Sequence, residues 1–193
     1  MIKMDYLIIG IGWATFLALH SVLAAFQVKN WVAQNIPSLY RKYRLFYTII
    51  NSLLSGVLLY YMLVSESETL LAANATQRYI ALVLASWGVI IMVVSFRHIS
   101  GMAFLGFAEE EDQGLIRQGL HAKIRHPIYS GTILVVLGMM LYIPTDVIFT
   151  TGIVMLGYLP FGIYFEEKKL IAQFGEEYLE YKKEVPAIIP KIR

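Results

Sequence analysis

Five long runs of uncharged, largely apolar sequence constrain the fold of this chain more than any other feature. None contains Lys, Arg, Asp or Glu, and they cover residues 6–28, 45–65, 79–96, 128–145 and 147–165. About 20 apolar residues in an α-helix cross the roughly 30 Å hydrocarbon core of a bilayer. Because lipid offers no hydrogen-bond partner to a free backbone amide, each run is expected to be helical. The sequence therefore predicts an all-α integral membrane protein with five transmembrane helices.

The composition agrees with a single membrane domain over residues 1–193. Apolar residues make up 58% of the chain and charged residues 16%, whereas soluble globular proteins average about 45–50% and about 25%. A net charge of +2, with no basic tract interleaved with aromatic residues, argues against nucleic acid as a partner. The absence of cysteine excludes disulfides, thiolate nucleophiles and cysteine metal ligands.

Basic residues in the connecting segments predict the orientation in the bilayer. Lys and Arg are concentrated after the first run, before the fourth and after the fifth, whereas the second connection has only Arg78 and the fourth connection has none. Cytoplasmic loops are enriched in Lys and Arg. We therefore expect an amino terminus outside and a carboxyl terminus in the cytoplasm, in the cell or inner membrane if the source is a prokaryote.

The last two runs are predicted to form a carboxyl-terminal helical hairpin. Only Pro144, Thr145 and Asp146 separate them. Pro144 ends one helix because it lacks an amide donor. Asp146 is placed to cap the next helix.

The tail is predicted to form a cytoplasmic amphipathic helix after Glu167, interrupted near Gly175. Its apolar stripe has spacings of four, four and three residues and consists of Leu170, Phe174, Tyr178 and Tyr181. This pattern is typical of a helix that lies on a helical bundle or on lipid headgroups. It is also compatible with a lid, because the stripe carries two tyrosine hydroxyls.

A metal site is not predicted. The acidic run at residues 109–112 is most simply a solvated face, because adjacent side chains rarely converge on one ion. The histidines do not show a recognised ligand spacing; they are His20, His98, His121 and His126.

Two polar clusters bracket the predicted hairpin, and the hairpin brings them to the same side of the membrane. In the first, Arg125 and Pro127 fit a membrane-interface anchor at a helix start. They also fit an anion site, because a helix start presents free amides to which Arg125, His126 and Tyr129 add donors. In the second cluster, Glu166 and Glu167 are either solvated acids or carboxylates that hold ribose hydroxyls, an ammonium or a sulfonium.

The two clusters together resemble the isoprenylcysteine carboxyl methyltransferase family, whose relatives include phospholipid, methanethiol and NnrU-like membrane proteins. The resemblance covers about residues 114–190. It rests on Gly-x-x-x-x-x-Arg-His-Pro-x-Tyr-x-Gly, an apolar hairpin, and then Glu-Glu-x-x-Leu-x-x-x-Phe-Gly-x-x-Tyr-x-x-Tyr-x-x-x-Val-Pro. The resemblance implies methyl transfer from S-adenosylmethionine, with S-adenosylhomocysteine as product, to an acceptor that enters from the lipid.

The resemblance also implies which residues form the site. Residues 97–193 would be the catalytic half and residues 1–96 a three-helix scaffold. Arg125, His126 and Glu167 would act in catalysis, with Arg125 placing an anionic group and His126 or a Glu serving as base where a thiol or amine acceptor needs one. The cofactor pocket would be formed by Gly119, His121, His126, Pro127, Tyr129, Gly131, Glu166, Glu167, Tyr178 and Tyr181.

The acceptor stays open among a lipophilic or small thiol, carboxylate or amine. Glu184 stands where the carboxyl methyltransferases tend to have a basic residue, and an acid there would repel a carboxylate substrate. Two alternatives are kept. A membrane reductase of the sterol-reductase type would use NADPH, and a non-catalytic NnrU-like protein would be expected to lose the motif residues that this chain retains.

Overall fold

The computed structural model describes residues 4–40, 42–98 and 114–191, and these residues form α-helices joined by short turns. The acidic run at 109–112 lies outside the described residues. The helices are α1 (Asp5–Ala24), α2 (Phe26–Asn35), α3 (Pro37–Tyr40), α4 (Tyr43–Val64), α5 (Ala75–Ser95), α6 (Pro127–Tyr142), α7 (Asp146–Phe174) and α8 (Glu176–Glu184), with 3-10 turns at Phe96–His98 and Gly119–Ala122.

Four helices among the described residues are long and apolar enough to cross a membrane, namely α1, α4, α5 and α7. The fourth predicted run forms α6, an apolar helix of 16 residues. At 1.5 Å per residue α6 is about 24 Å long, which is less than the usual hydrocarbon thickness. The all-helical membrane class is confirmed, and the count of five spans stays a prediction.

Small residues allow α5 and α6 to pack closely, and this is the most extensive helix contact in the described structure. A Cβ atom added to Gly131 would lie 2.6 Å from the carbonyl oxygen of Gly88, and one added to Gly138 would lie 2.8 Å from that of Ala81. In membranes such close backbone approach supplies the packing that holds helices together. On its other side α6 contacts α7, which packs against α1, and α1 in turn contacts α4.

The hairpin turn is bound to the connection between α4 and α5. Leu70 N donates to Pro144 O at 2.8 Å, and Asp146 N donates to Glu68 O at 3.0 Å. The N-cap of α7 is Thr145, whose hydroxyl accepts from Ile148 N, so the predicted cap at Asp146 was wrong by one residue. The carboxylate of Asp146 instead accepts from Glu68 N at 2.9 Å. The two connections with the fewest basic residues thus meet at one end of the bundle, as alternating loops require.

The helix α7 continues through Glu166 and Glu167 to Phe174, so the acidic pair lies within a helix and not at its end. Gly175 then interrupts the helix with a φ of +56°, a conformation that favours glycine, and α8 follows. Tyr178 and Tyr181 form a buried apolar cluster with Leu170, Phe174 and neighbours. The predicted stripe and its break are therefore confirmed, while the side of the membrane on which the tail lies stays a prediction.

Candidate functional site

A buried ion pair joins the two polar clusters. Arg125 Nη2 lies 2.5 Å from Glu167 Oε1, and Arg125 Nε donates to the same oxygen at 3.0 Å. The side chains are only 8% and 9% exposed. The hairpin makes this contact possible, because α7 returns past the start of α6 and brings together residues 42 positions apart. Arg125 is therefore neither a lipid-facing anchor nor an open anion site, because its anion is Glu167.

Glu167 is held by two further groups. Lys182 Nζ lies 2.6 Å from Glu167 Oε2, and His126 Nε2 lies 3.2 Å from Glu167 Oε1. Burial alone would favour the neutral acid, but two cations in direct contact stabilise the carboxylate. Glu167 thus organises the cluster, and binding a ligand directly would require it to exchange one of these partners.

His126 connects the two glutamates. It is the N-cap residue of α6, with Pro127 in the first helical position where a missing amide costs little. Its other ring nitrogen, Nδ1, lies 3.6 Å from Glu166 Oε2, and the Glu166 side chain is 44% exposed. Tyr129 stacks edge-on to the His126 ring, 5.6 Å between centroids. Glu166 is therefore the accessible carboxylate of the pair.

The tail closes over this cluster through contacts with its backbone carbonyl groups. Arg125 Nη1 donates to the carbonyl oxygens of Lys182 and Val185. The chain after α8 then runs beside the start of α6, where Arg125 N and His126 N each donate at 2.9 Å to Pro186 O and Ala187 O. These contacts lock the tail onto the first polar cluster.

Two further polar side chains were missed by sequence reasoning. Lys182 is one of several lysines in a charged segment, and nothing in its spacing singles it out. Ser130 donates to Ile188 O at 2.7 Å, and it stands inside the motif next to Gly131. In the sequence, the Val185-Pro186 pair at the end of the family pattern was the one indication that the segment after α8 packs in a defined position.

Tyr178 and Tyr181 bury their rings beneath the tail. Tyr181 donates to His121 O at 2.5 Å, and burial raises the pKa of Tyr181 to about 12, so that its hydroxyl stays protonated. Burial, together with the nearby Glu167 carboxylate, also raises the pKa of Tyr178. The hydroxyl of Tyr178 is buried, and the polar side chain that interacts with it is Arg125.

The remaining predicted residues are placed differently. Gly119 has a φ of +60° and begins the 3-10 turn that carries His121. Gly131 faces α5, where an added Cβ would lie 2.5 Å from Met92 Cγ. Helix packing therefore occupies the space beside the Gly131 backbone, so a ligand cannot approach it from that side; the contact of Gly131 with a cofactor stays a prediction. Glu184, the departure from the family pattern, pairs with Arg117 at 2.7 Å.

The residues present suit a ligand with both cationic and hydroxyl groups. Glu166 offers a carboxylate that is 44% exposed and can accept hydrogen bonds from such groups. Across the described residues, no group of three or more His, Asp or Glu side chains is arranged to hold a metal ion.

Comparison with known proteins assigns the chain to a family. A family model described as phospholipid methyltransferase matches residues 76–177, a segment that contains Arg125, His126, Glu166 and Glu167. The chain belongs to the phospholipid methyltransferase family. The family match spans α5, α6 and α7 and ends just before Tyr178.

Three curated relatives are methyltransferases by name. The chain is 31% identical to a protein-S-isoprenylcysteine O-methyltransferase of Schizosaccharomyces pombe over 51% of its length, and 32% identical to protein-S-isoprenylcysteine O-methyltransferase B of Arabidopsis thaliana over 50%. These alignments cover only 40% and 47% of the two relatives. A methanethiol S-methyltransferase of Crocosphaera subtropica is 28% identical over 96% of this chain and 75% of that protein. No solved structure shows significant similarity to the chain. The predicted family is confirmed.

Proposed function

We propose that this protein is an integral membrane methyltransferase that moves the methyl group of S-adenosylmethionine to a lipophilic or small acceptor reached from the bilayer. The observation that carries the proposal is the Arg125–His126–Glu167 cluster with its accessible neighbour Glu166, because it lies inside the segment matched by the phospholipid methyltransferase family. The relatives named for isoprenylcysteine and methanethiol support this reaction class.

The residues would hold the cofactor with the groups that the fold leaves accessible. Glu166 would accept hydrogen bonds from the ribose hydroxyls or from the ammonium group, and the buried Tyr178 would cover the pocket. When bound, S-adenosylmethionine supplies a methyl group already activated by a sulfonium. Such a reaction depends mainly on alignment and on exclusion of water.

The roles of the catalytic candidates follow from their contacts. Arg125 and Glu167 position the tail over the site, because Arg125 bridges Glu167 to the carbonyl groups after α8. The tail residues Tyr178 and Tyr181 would then exclude water from the cofactor pocket. His126, between the two carboxylates, would be the base for acceptors that lose a proton.

The membrane arrangement is part of the proposal. Five spans, with α6 as the shortest, would place the amino terminus outside and the carboxyl terminus in the cytoplasm. The pairing of the second connection with the hairpin turn supports this arrangement, since both would face the same side. Residues 97–193 would supply the site, and α5 would support it by packing against α6.

Calorimetric binding of S-adenosylhomocysteine to the detergent-purified protein tests the proposal, with NADPH in parallel. Glu166→Gln is the informative variant, because the side chain is accessible and its removal leaves the buried ion pair intact. Glu176→Gln, 73% exposed on α8, is the matched control. We expect micromolar binding of S-adenosylhomocysteine, weakened at least tenfold by Glu166→Gln and unchanged by Glu176→Gln. Binding of NADPH alone would replace the proposal with a reductase, and binding of neither would leave a non-catalytic membrane protein.

A further inference from the structure

A network of polar side chains lies inside the apolar bundle, away from the cluster around Glu167. His20 Nδ1 on α1 lies 2.8 Å from the hydroxyl of Tyr47 and 3.2 Å from Asn51 Oδ1, both on α4, and His20 Nε2 lies 3.1 Å from the same Tyr47 hydroxyl. Asn51 also donates to Tyr47 O at 2.8 Å. This network joins α1 to α4.

Two tyrosines from the other half of the bundle approach this network. Tyr47 interacts electrostatically with Tyr158 on α7 and with Tyr129 on α6. Tyr129 and Tyr158 both lie next to Gly162. A Cβ atom added to Gly162 would be 3.2 Å from the Tyr129 hydroxyl and 3.4 Å from Tyr158 Cε1. We call His20, Tyr47, Tyr129 and Tyr158 the hydroxyl cluster.

Helix packing explains only part of the hydroxyl cluster. Hydrogen bonds between spans stabilise helix association, and the His20–Tyr47–Asn51 network is satisfied in this way. The Tyr158 hydroxyl is different, because it is buried and has no hydrogen-bond partner within the described part of the chain. Burying a hydroxyl unpaired in apolar surroundings is unfavourable. A polar group that is buried within a membrane protein despite this unfavourable free energy points to a functional site.

The position of the hydroxyl cluster fits the second substrate of the proposed reaction. Tyr129 interacts with Glu166, so the cluster borders the proposed cofactor site. Tyr158 stands eight residues before Glu166 on α7, about 12 Å along the helix axis and toward the bilayer. A molecule entering from lipid would therefore meet the hydroxyl cluster before it reached Glu166.

We propose that the hydroxyl cluster binds the methyl acceptor and selects an acceptor with an uncharged head group, of the thiol class. This inference rests on the proposed methyltransferase function. Phenols, an imidazole and an amide supply hydrogen bonds without a permanent positive charge, whereas a buried carboxylate needs a paired cation. Arg125 and Lys182 are already bound to Glu167. A lipophilic thiol meets these conditions better than a carboxylate of the same chain length.

The reaction balances without another reactant. Methylation of a thiol forms a carbon–sulfur bond on the acceptor and breaks the sulfonium–methyl bond of S-adenosylmethionine. S-adenosylhomocysteine leaves as a neutral thioether, and the thiol proton passes to His126, the proposed base, and from there to bulk water.

Methylation of octanethiol and of octanoate by the purified protein tests the inference, with S-adenosylhomocysteine binding measured on every variant. We expect the wild type to prefer octanethiol. Tyr158→Phe should raise the KM for octanethiol about tenfold, the usual effect of one lost hydrogen bond, while the Kd for S-adenosylhomocysteine changes less than about twofold. Tyr164→Phe, on the same helix but 60% exposed, should change neither value.

A second pair of variants repeats the test on α4. Tyr47→Phe should also raise the KM for octanethiol, whereas Tyr60→Phe, 67% exposed, should not. Preference for octanoate, an unchanged KM in both cluster variants, or methylation of neither probe by a protein that binds S-adenosylhomocysteine would overturn the inference and leave the proposed function standing. Absence of S-adenosylhomocysteine binding to the wild type would instead overturn the proposed function itself.

Discussion

Arg125 Nη2 and Glu167 Oε1 lie 2.5 Å apart, in a position where both side chains are almost completely shielded from solvent. The pair links the start of α6 to α7, and through Arg125 Nη1 it also reaches the tail after α8. One ion pair therefore couples the hairpin to the segment that covers the proposed site. This coupling makes the stability of the tail depend on the charge of Glu167, which lies 15 residues before Lys182.

Breaking that pair from one side is expected to destabilise the protein strongly. Glu167→Ala would leave Arg125 buried without its anion, at a cost of about 3–5 kcal/mol. Replacing both residues with methionine would remove both charges and should recover part of the loss, because the bonds of Arg125 to the tail carbonyls are lost as well. The apparent melting temperature in detergent measures the effect, with Glu166→Ala as the exposed control. A double variant as unstable as Glu167→Ala would contradict this account.

Any side chain larger than that of glycine at position 131 is expected to destabilise the contact between α5 and α6. In Gly131→Ala the new Cβ would lie 2.5 Å from Met92 Cγ and 2.6 Å from Gly88 O. Overpacking of this kind costs about 1–3 kcal/mol. Gly157→Ala is the matched control, because no side chain and no other helix lies within 4 Å of the Cβ that it would add. We expect a lower melting temperature for Gly131→Ala only, and equal values for the two variants would show that the helices have room to separate.

Gly175 is expected to tolerate alanine poorly for a different reason. Nothing lies within 4 Å of an added Cβ, but the φ of +56° is unfavourable for any L-residue. The strain is about 1–3 kcal/mol, and it falls on the link between α7 and α8. Hydrogen exchange should therefore become faster over residues 176–188 in Gly175→Ala and stay unchanged around α5. Unaltered protection of the tail would mean that the link adopts another conformation at no cost.

The chain has no cysteine, so single cysteines report the topology directly. Thr69→Cys lies in the connection between α4 and α5, and Lys183→Cys lies on α8, where the lysine side chain is 74% exposed. For five spans with the amino terminus outside, a membrane-impermeant maleimide should label Thr69→Cys on intact cells. It should label Lys183→Cys only after lysis. Labelling of both positions on intact cells would exclude this arrangement.

Much of the fold and part of the site were predictable from local patterns. Length and apolarity identified helices, Pro144 marked the hairpin, and the spacing of Tyr178 and Tyr181 identified the buried face of the tail. These features depend on residues close together in the chain. The partner of Arg125 and the role of Lys182 were not predictable, because each contact joins residues that only the folded chain brings together. The packing of Gly131 against Gly88 was missed for the same reason.

The sequence by itself determined the helical membrane class, the family and the two polar clusters, because uncharged runs of bilayer length and short motifs are local properties. Only the tertiary structure decided how the two glutamates differ. Glu167 is enclosed by Arg125, His126 and Lys182, whereas Glu166, one residue earlier on the helix, keeps an accessible carboxylate. Adjacent residues on a helix point about 100° apart, so identical neighbours in the sequence meet different surroundings in the fold.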